Sequence, residues 1–245
     1  MTIMKEITYK DRAKFYYDET YSDVDHEFLK NTISRYSIKS ILDIPCGAGR
    51  NLKMLAKNCD FAVFCDIEKN MVDQIQMEIE KNKYNNCQSF CSDILDFKLK
   101  NKVDMTIVMR QALQLFSPGK MYRIIDNLLL NTSKIIILDL YCFSEHNKKG
   151  QVPEYLKNTN KEFLFNNNKV IRTLSLEKKI EGTLVKYNYK LEKEEWTTQF
   201  KLFDINPKLI REYLISKKVR KIIEYRDYFF NVRENENSII FVIEI

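Results

Sequence analysis

The chain has 245 residues, of which 44% are hydrophobic and 12% aromatic, and a formal net charge of +6. That length buries a full core, and that composition excludes a disordered or fibrous chain. The basic residues alternate with acids, as in Glu177-Lys178-Lys179, and even Lys217-Lys218-Val219-Arg220-Lys221 reads as a solvated face and not a nucleic-acid footprint.

Six cysteines (46, 59, 65, 87, 91 and 142) include no C-x-x-C pair, and only two histidines accompany them, so no metal site is expected. Cysteines in apolar runs suit a reducing compartment. Neither a signal-peptide pattern nor an apolar run of about 18 residues is seen. The expectation is a soluble cytoplasmic protein with no membrane partner.

Residues 1–40 are rich in aromatics: Tyr9, Phe15, Tyr16, Tyr17 and Tyr21. Phe28, Leu29, Thr32, Ile33 and Tyr36 fall on one helix face. The segment reads either as a cover helix on a sheet or as a lid over a ligand. Ser40 to Ile44 is a short apolar run, a buried strand, ending in the turn Cys46-Gly47-Ala48-Gly49. Arg50 to Asn58 follows with Leu52, Leu55 and Ala56 at helical spacing. Strand, glycine turn and helix together form a unit that holds nucleotide-like ligands, because glycine admits close approach and the helix N-terminus offers free N–H groups. The dinucleotide fingerprint would want a third glycine where Leu52 stands. Phe61 to Cys65 is a second strand, and it ends at Asp66, where a carboxylate can accept from two ribose hydroxyls.

Met71, Ile75 and Ile79 trace an amphipathic helix from Glu68 to Lys83. Asn85 to Phe90, Val103 to Met109 and Lys134 to Tyr141 are further strands, with a helix from Pro118-Gly119 to about Leu130. Strand–helix alternation predicts a parallel, doubly wound sheet. Lys169 to Leu176, Thr183 to Leu191 and Trp196 to Phe203 alternate as a small antiparallel meander inside residues 142–205. Asn206-Pro207 open a helix with Leu209, Ile210, Tyr213 and Leu214 on one face. Val219 to Phe230 and Ser238 to Ile245 are the last strands. Their polar link is too short for a parallel crossover, which needs about a dozen residues, so they pair antiparallel.

Ile41-Leu42-Asp43-Ile44-Pro45-Cys46-Gly47-Ala48-Gly49-Arg50 resembles the first motif of the class I S-adenosylmethionine (SAM) methyltransferases. Asp66 matches their ribose-binding acid, Phe90-Cys91-Ser92-Asp93-Ile94 their third motif, and Val103 to Met109 their fourth strand. The resemblance implies an α/β, Rossmann-like, mostly parallel seven-stranded sheet with an antiparallel C-terminal hairpin, all within one domain spanning 1–245. It implies SAM as cofactor and S-adenosylhomocysteine as product. It places Asp43, Pro45, Gly47, Gly49, Asp66, Ile67, Met71, Asp93, Ile94 and Met109 at the cofactor, Met71 packing on the adenine. Tyr17-Asp18-Glu19-Thr20-Tyr21 is similar to the stretch that covers the cofactor in small-molecule methyltransferases, making Tyr17 and Tyr21 lid and catalytic candidates. In amino-sugar and glycine N-methyltransferases of similar layout, the meander walls the acceptor site or makes a dimer contact, so a homodimer through it is one expectation.

Methyl transfer from a sulfonium is a single displacement, which needs alignment more than it needs a strong base. After the fourth strand, Met109-Arg110-Gln111-Ala112-Leu113 lacks the Asn/Asp-Pro-Pro-Tyr tetrad of exocyclic-amine methyltransferases of DNA, and no cysteine is placed for cytosine C5 attack. Arg110, Gln111 and Tyr141 sit at carboxyl ends of strands, where ligands bind, and are substrate candidates. His146 is a general-base candidate or a solvated residue. The expected activity is methylation of a small-molecule acceptor at an amine nitrogen. The alternatives are an RNA methyltransferase, which would need a basic groove, and a non-catalytic scaffold subunit.

Overall fold

The computed structural model describes residues 4–20, 23–141, 160–179, 181–191, 194–229 and 238–245. Among the described residues twelve strands form two sheets. The chain opens with β1 (Met4–Glu6), α1 (Tyr9–Thr20) and α2 (His26–Arg35). Then come β2 (Ser40–Asp43), α3 (Leu52–Asn58), β3 (Phe61–Asp66), α4 (Lys69–Asn82), β4 (Cys87–Cys91), β5 (Val103–Val108), α5 (Pro118–Asn131) and β6 (Thr132–Tyr141). Next are β7 (Asn160–Phe165), β8 (Asn168–Lys179), β9 (Gly182–Lys190) and β10 (Glu195–Phe203). The chain closes with α6 (Pro207–Ser216), β11 (Lys221–Tyr225) and β12 (Ser238–Glu244).

The main sheet has seven strands in the order β11-β12-β6-β5-β2-β3-β4. All pairs from β6 to β4 are parallel, whereas β12 runs antiparallel to β6 and β11 antiparallel to β12. The strand order reverses beside β2, so a crevice opens at the carboxyl ends of β2 and β5, where open α/β sheets bind ligands. Alternation sends Leu42, Val63 and Leu138 to one face, under α5 and α6, and Ile41, Phe64 and Ile137 to the other, under α2, α3 and α4. Both faces are covered, which explains why these strands read as continuous apolar runs.

Among the boundaries that differ from expectation, two lie near the site. The first residues after the glycine turn do not join α3, which starts at Leu52. β11 stops at Tyr225 instead of running to Phe230, because the chain turns there and the Tyr228 hydroxyl donates to Asp139 in the main sheet.

The second sheet is larger than a three-stranded meander. It has five strands in the order β1-β10-β9-β8-β7, with β1 parallel to β10. Asn166 and Asn167 both take positive φ (50° and 63°), forming the two-residue hairpin that joins β7 to β8. α1 packs between this sheet and α4. It is anchored by Phe15, which stacks on Phe163 and Trp196 and meets Tyr189 edge-on. No helix among the described residues is long and apolar enough to cross a membrane.

Candidate active site

The turn after β2 is bound to β3 by its own backbone and by Asp66. Cys46 N donates to Cys65 O at 2.9 Å, and Gly47 N donates to Asp66 Oδ2 at 2.9 Å. Glu68 N donates to the other oxygen of Asp66, also at 2.9 Å. Asp66 is buried, and burial raises its carboxyl pKa against the pull of these backbone donors. Each carboxylate oxygen keeps a second lone pair, so the side chain that braces the turn can also accept from two hydroxyls.

Gly47 and Gly49 both adopt left-handed backbone (φ 54° and 77°), which only glycine takes without strain. Their surroundings differ. A Cβ on Gly47 would stand 2.8 Å from Tyr16 Cε1, and one on Gly49 would stand 2.7 Å from Ile75 Cγ1. Gly47 therefore admits an aromatic ring of α1 onto the turn, while Gly49 admits α4. Tyr9 meets Tyr16 edge-on at 5.5 Å between ring centroids.

Acidic groups gather beneath the turn. Asp43 is buried, accepts from Asn51 Nδ2 at 3.0 Å, and is pushed up to about 7 by burial. Asn51 Oδ1 lies 3.2 Å from His26 Nε2. Asp25 is fully buried and takes both arms of the Arg50 guanidinium. Burial alone would raise the Asp25 carboxyl, but the Arg50 hydrogen bonds outweigh it and hold the pKa below the ordinary value.

Beyond β5 the backbone is strained. Arg110 and Gln111 both take positive φ (57° and 58°), each costing about 1–3 kcal/mol for a non-glycine residue. Asp139 holds them there. Its Oδ2 accepts from Arg110 N at 2.9 Å, Gln111 Nε2 at 3.0 Å and the Tyr228 hydroxyl at 2.6 Å.

These elements enclose a cavity of about 970 Å³, at the top of the range for small-molecule sites. Asp43, Pro45, Gly47, Asp66, Ile67, Asp93, Ile94 and Met109 line it, as do Arg110 and Gln111. Three other candidates do not. Gly49 is turned to Ile75, Met71 is fully buried in the core beneath the site, and Tyr141 is buried between the two sheets. Tyr17 lines the cavity at 41% exposure. Tyr21 and His146 lie outside the described residues. The far wall is the inner face of the second sheet, with Val185, Tyr187, Thr198 and Phe200. Sequence reasoning missed Arg12, Lys161 and Arg172, and placed Tyr9, Tyr16 and Glu19 only within a cover or lid segment; all six line the cavity. For α1 a signal existed: Tyr9, Arg12, Tyr16 and Glu19 recur at helical spacing.

The donor set suits SAM. Asp66 matches a ribose, exposed Ile67 with Ile94 offers apolar surface to a planar base, and buried carboxylates favour a ligand carrying ammonium and sulfonium charge.

Residues 41–130 match a family model described as a methyltransferase domain. No curated protein matches the chain by sequence. Among solved structures, an S-adenosylmethionine-dependent methyltransferase from Clostridium acetobutylicum aligns with a TM-score of 0.76 at 11% identity, over 96% of each chain. SAM-bound CalS10, an amino pentose methyltransferase from Micromonospora echinaspora, aligns at 0.74 and 10% identity, over 99% of this chain and 100% of that one. The sugar N-methyltransferase KedS8 from Streptoalloteichus aligns at 0.75 and 10% identity, over 99% of this chain and 94% of that one. The fold is that of SAM-dependent methyltransferases, and residues 41–130 carry the match to a methyltransferase domain.

Proposed function

We propose that the protein methylates an amine nitrogen of a small molecule held between the glycine turn and the second sheet. The observation that carries this reading is the single cavity joining Asp66 at one end to Tyr187 and Phe200 at the other. Two similar folds, CalS10 and KedS8, are an amino pentose and a sugar N-methyltransferase, and their likeness supports the nitrogen preference.

SAM, when bound, supplies an electrophilic methyl group on its sulfonium. The chain's own residues bind, orient and exclude water. Asp66 would accept from the ribose, Asp43 would face the amino group, and Ile67 with Ile94 would take the adenine. Tyr16, seated on Gly47, presents an aromatic ring to nearby positive charge, worth about 0.5–2 kcal/mol. The second sheet roofs the acceptor end, so nucleophile and methyl group meet in a restricted volume, where alignment lowers the barrier. A neutral amine can release its proton to water.

The inner face of the meander lines the cavity, which supports its reading as an acceptor wall over that of a homodimer contact. The roof also argues against an RNA acceptor, which needs an open basic groove. The intact acids argue against a scaffold that has lost its cofactor. The test is methyl transfer from labelled SAM to a panel of amines and matched alcohols. Incorporation into amines alone is expected. Incorporation into alcohols alone, or into RNA, would refute the reading.

A further inference from the structure

α2 and α3 each begin on a capping residue that does not cap. Asp25 stands at the N-cap of α2 and Asn51 at the N-cap of α3, residue types whose side chains ordinarily accept from the first turn. Neither side chain makes that bond to its own helix. Both are buried, and both reach to another element instead. Asp25 takes both arms of the Arg50 guanidinium, and Asn51 lies between His26 and Asp43. Residues 25 and 26 at the start of α2 thus meet residues 50 and 51 behind the glycine turn.

With Asp43 ionised, one arrangement of the Asn51 amide satisfies both neighbours. A carboxylate only accepts, so Nδ2 faces Asp43, at 3.0 Å. Oδ1 then faces His26 Nε2, at 3.2 Å, and that nitrogen carries the ring proton. Burial holds the His26 imidazole below its ordinary pKa, so near pH 7 the ring is neutral with one N–H to place, and Asn51 takes it. At the far end Asn51 engages Asp43 Oδ2, and among the described residues no hydrogen bond engages Oδ1. Asp43 and Asn51 line the cavity, whereas His26 does not, so the imidazole reaches a ligand only through the amide.

We propose that His26 is a positioning residue for the cofactor: through Asn51 it holds the Asp43 carboxylate by one oxygen and leaves the other for the ligand's amino group. The proposal rests on the functional reading above. It gives α2 a part in binding beyond covering the sheet, and it accounts for Asn51 being diverted from its helix. A donor at Nε2 fixes the amide. Without it the amide is free to turn its oxygen toward Asp43, where it opposes the carboxylate.

The test is calorimetry on the full chain with two ligands. S-adenosylhomocysteine (SAH) carries the amino group, and 5′-methylthioadenosine keeps adenine and ribose but lacks it. His26→Leu, which removes the donor, should weaken SAH binding about fivefold or more and leave methylthioadenosine binding unchanged. His26→Gln, which returns an N–H near the place of Nε2, should bring SAH affinity back to within about twofold of the unmodified chain. In an Asp43→Asn background, His26→Leu should have no further effect. If His26→Leu does not fold, His26→Ala takes its place. Unchanged SAH affinity in the variant without the donor, equal losses for both ligands, or no rescue by Gln overturns the proposal. Binding by the unmodified chain is measured first. No binding of either ligand would mean that the cofactor reading has failed, whereas binding that the His26 variants leave intact would mean that this proposal alone has failed.

Discussion

Replacing Gly47 with Ala tests whether α1 really closes on the turn. The substitution adds two burdens. Left-handed backbone costs an alanine about 1–2 kcal/mol. Its methyl would also stand 2.8 Å from Tyr16 Cε1, inside van der Waals contact. Overpacking of this kind costs about 1–3 kcal/mol when the neighbour must shift. Gly47→Ala alone should therefore lose about 2–5 kcal/mol. In a Tyr16→Ala background only the backbone part remains, so the double-mutant cycle should show a coupling of about 1–3 kcal/mol. Urea unfolding of the four proteins measures it. Additive losses, with coupling near zero, would mean that Tyr16 does not rest on the turn and would refute the close packing of α1.

Other outcomes follow from buried charge. Asp43 titrates near 7, so about a tenth of it is ionised at pH 6 and about nine-tenths at pH 8. Because the ionised form attracts the ligand's ammonium, SAH affinity should rise by up to about tenfold over that interval, measured by calorimetry. For the unliganded fold the sign is opposite. A carboxyl with a raised folded pKa contributes stability at low pH that is lost as pH rises from about 4 toward about 7, and Asp43→Asn should flatten that slope in thermal melts. Asp25→Ala removes the buried carboxylate that takes both arms of the Arg50 guanidinium and should lose about 3–5 kcal/mol in denaturant unfolding. A loss below about 1 kcal/mol would show the pair to be solvated.

The main sheet was legible because its signals are local. Apolar runs marked β2, β3, β5 and β6, and the short link before β12 forced an antiparallel hairpin. The cofactor end was legible for the same reason, since Asp43, Gly47 and Asp66 lie within one strand–turn–helix–strand unit. The acceptor end was not. Its geometry arises from contacts between segments far apart in sequence: Arg172 and Tyr189 meet Glu19 from 153 and 170 residues along the chain, and Tyr228 reaches Asp139 from the last hairpin. Alternation along β8 shows which residues share a face, but nothing in it says that Arg172 faces a helix bearing Glu19. Lys161 was within reach of sequence reading, since the Asn166-Asn167 turn fixes its register against Arg172. Met71 is fully buried, and the sequence could not separate its two readings because adenine contact and core packing require the same apolar side chain at the same helical position.

The central claim is that this cavity binds SAM through Asp66. Calorimetric titration of the protein and of Asp66→Asn with SAH tests it, with NAD as a control and urea unfolding to confirm that the variant is folded. Asn keeps the shape but loses the charge and one acceptor oxygen. It weakens the ribose bonds, each worth about 1.5–3 kcal/mol when the acceptor is ionised. The account predicts that SAH binds, that Asp66→Asn weakens it by about a hundredfold or more, and that NAD produces no heat. Equal SAH affinity in the two proteins, or binding of NAD in preference to SAH, would contradict it.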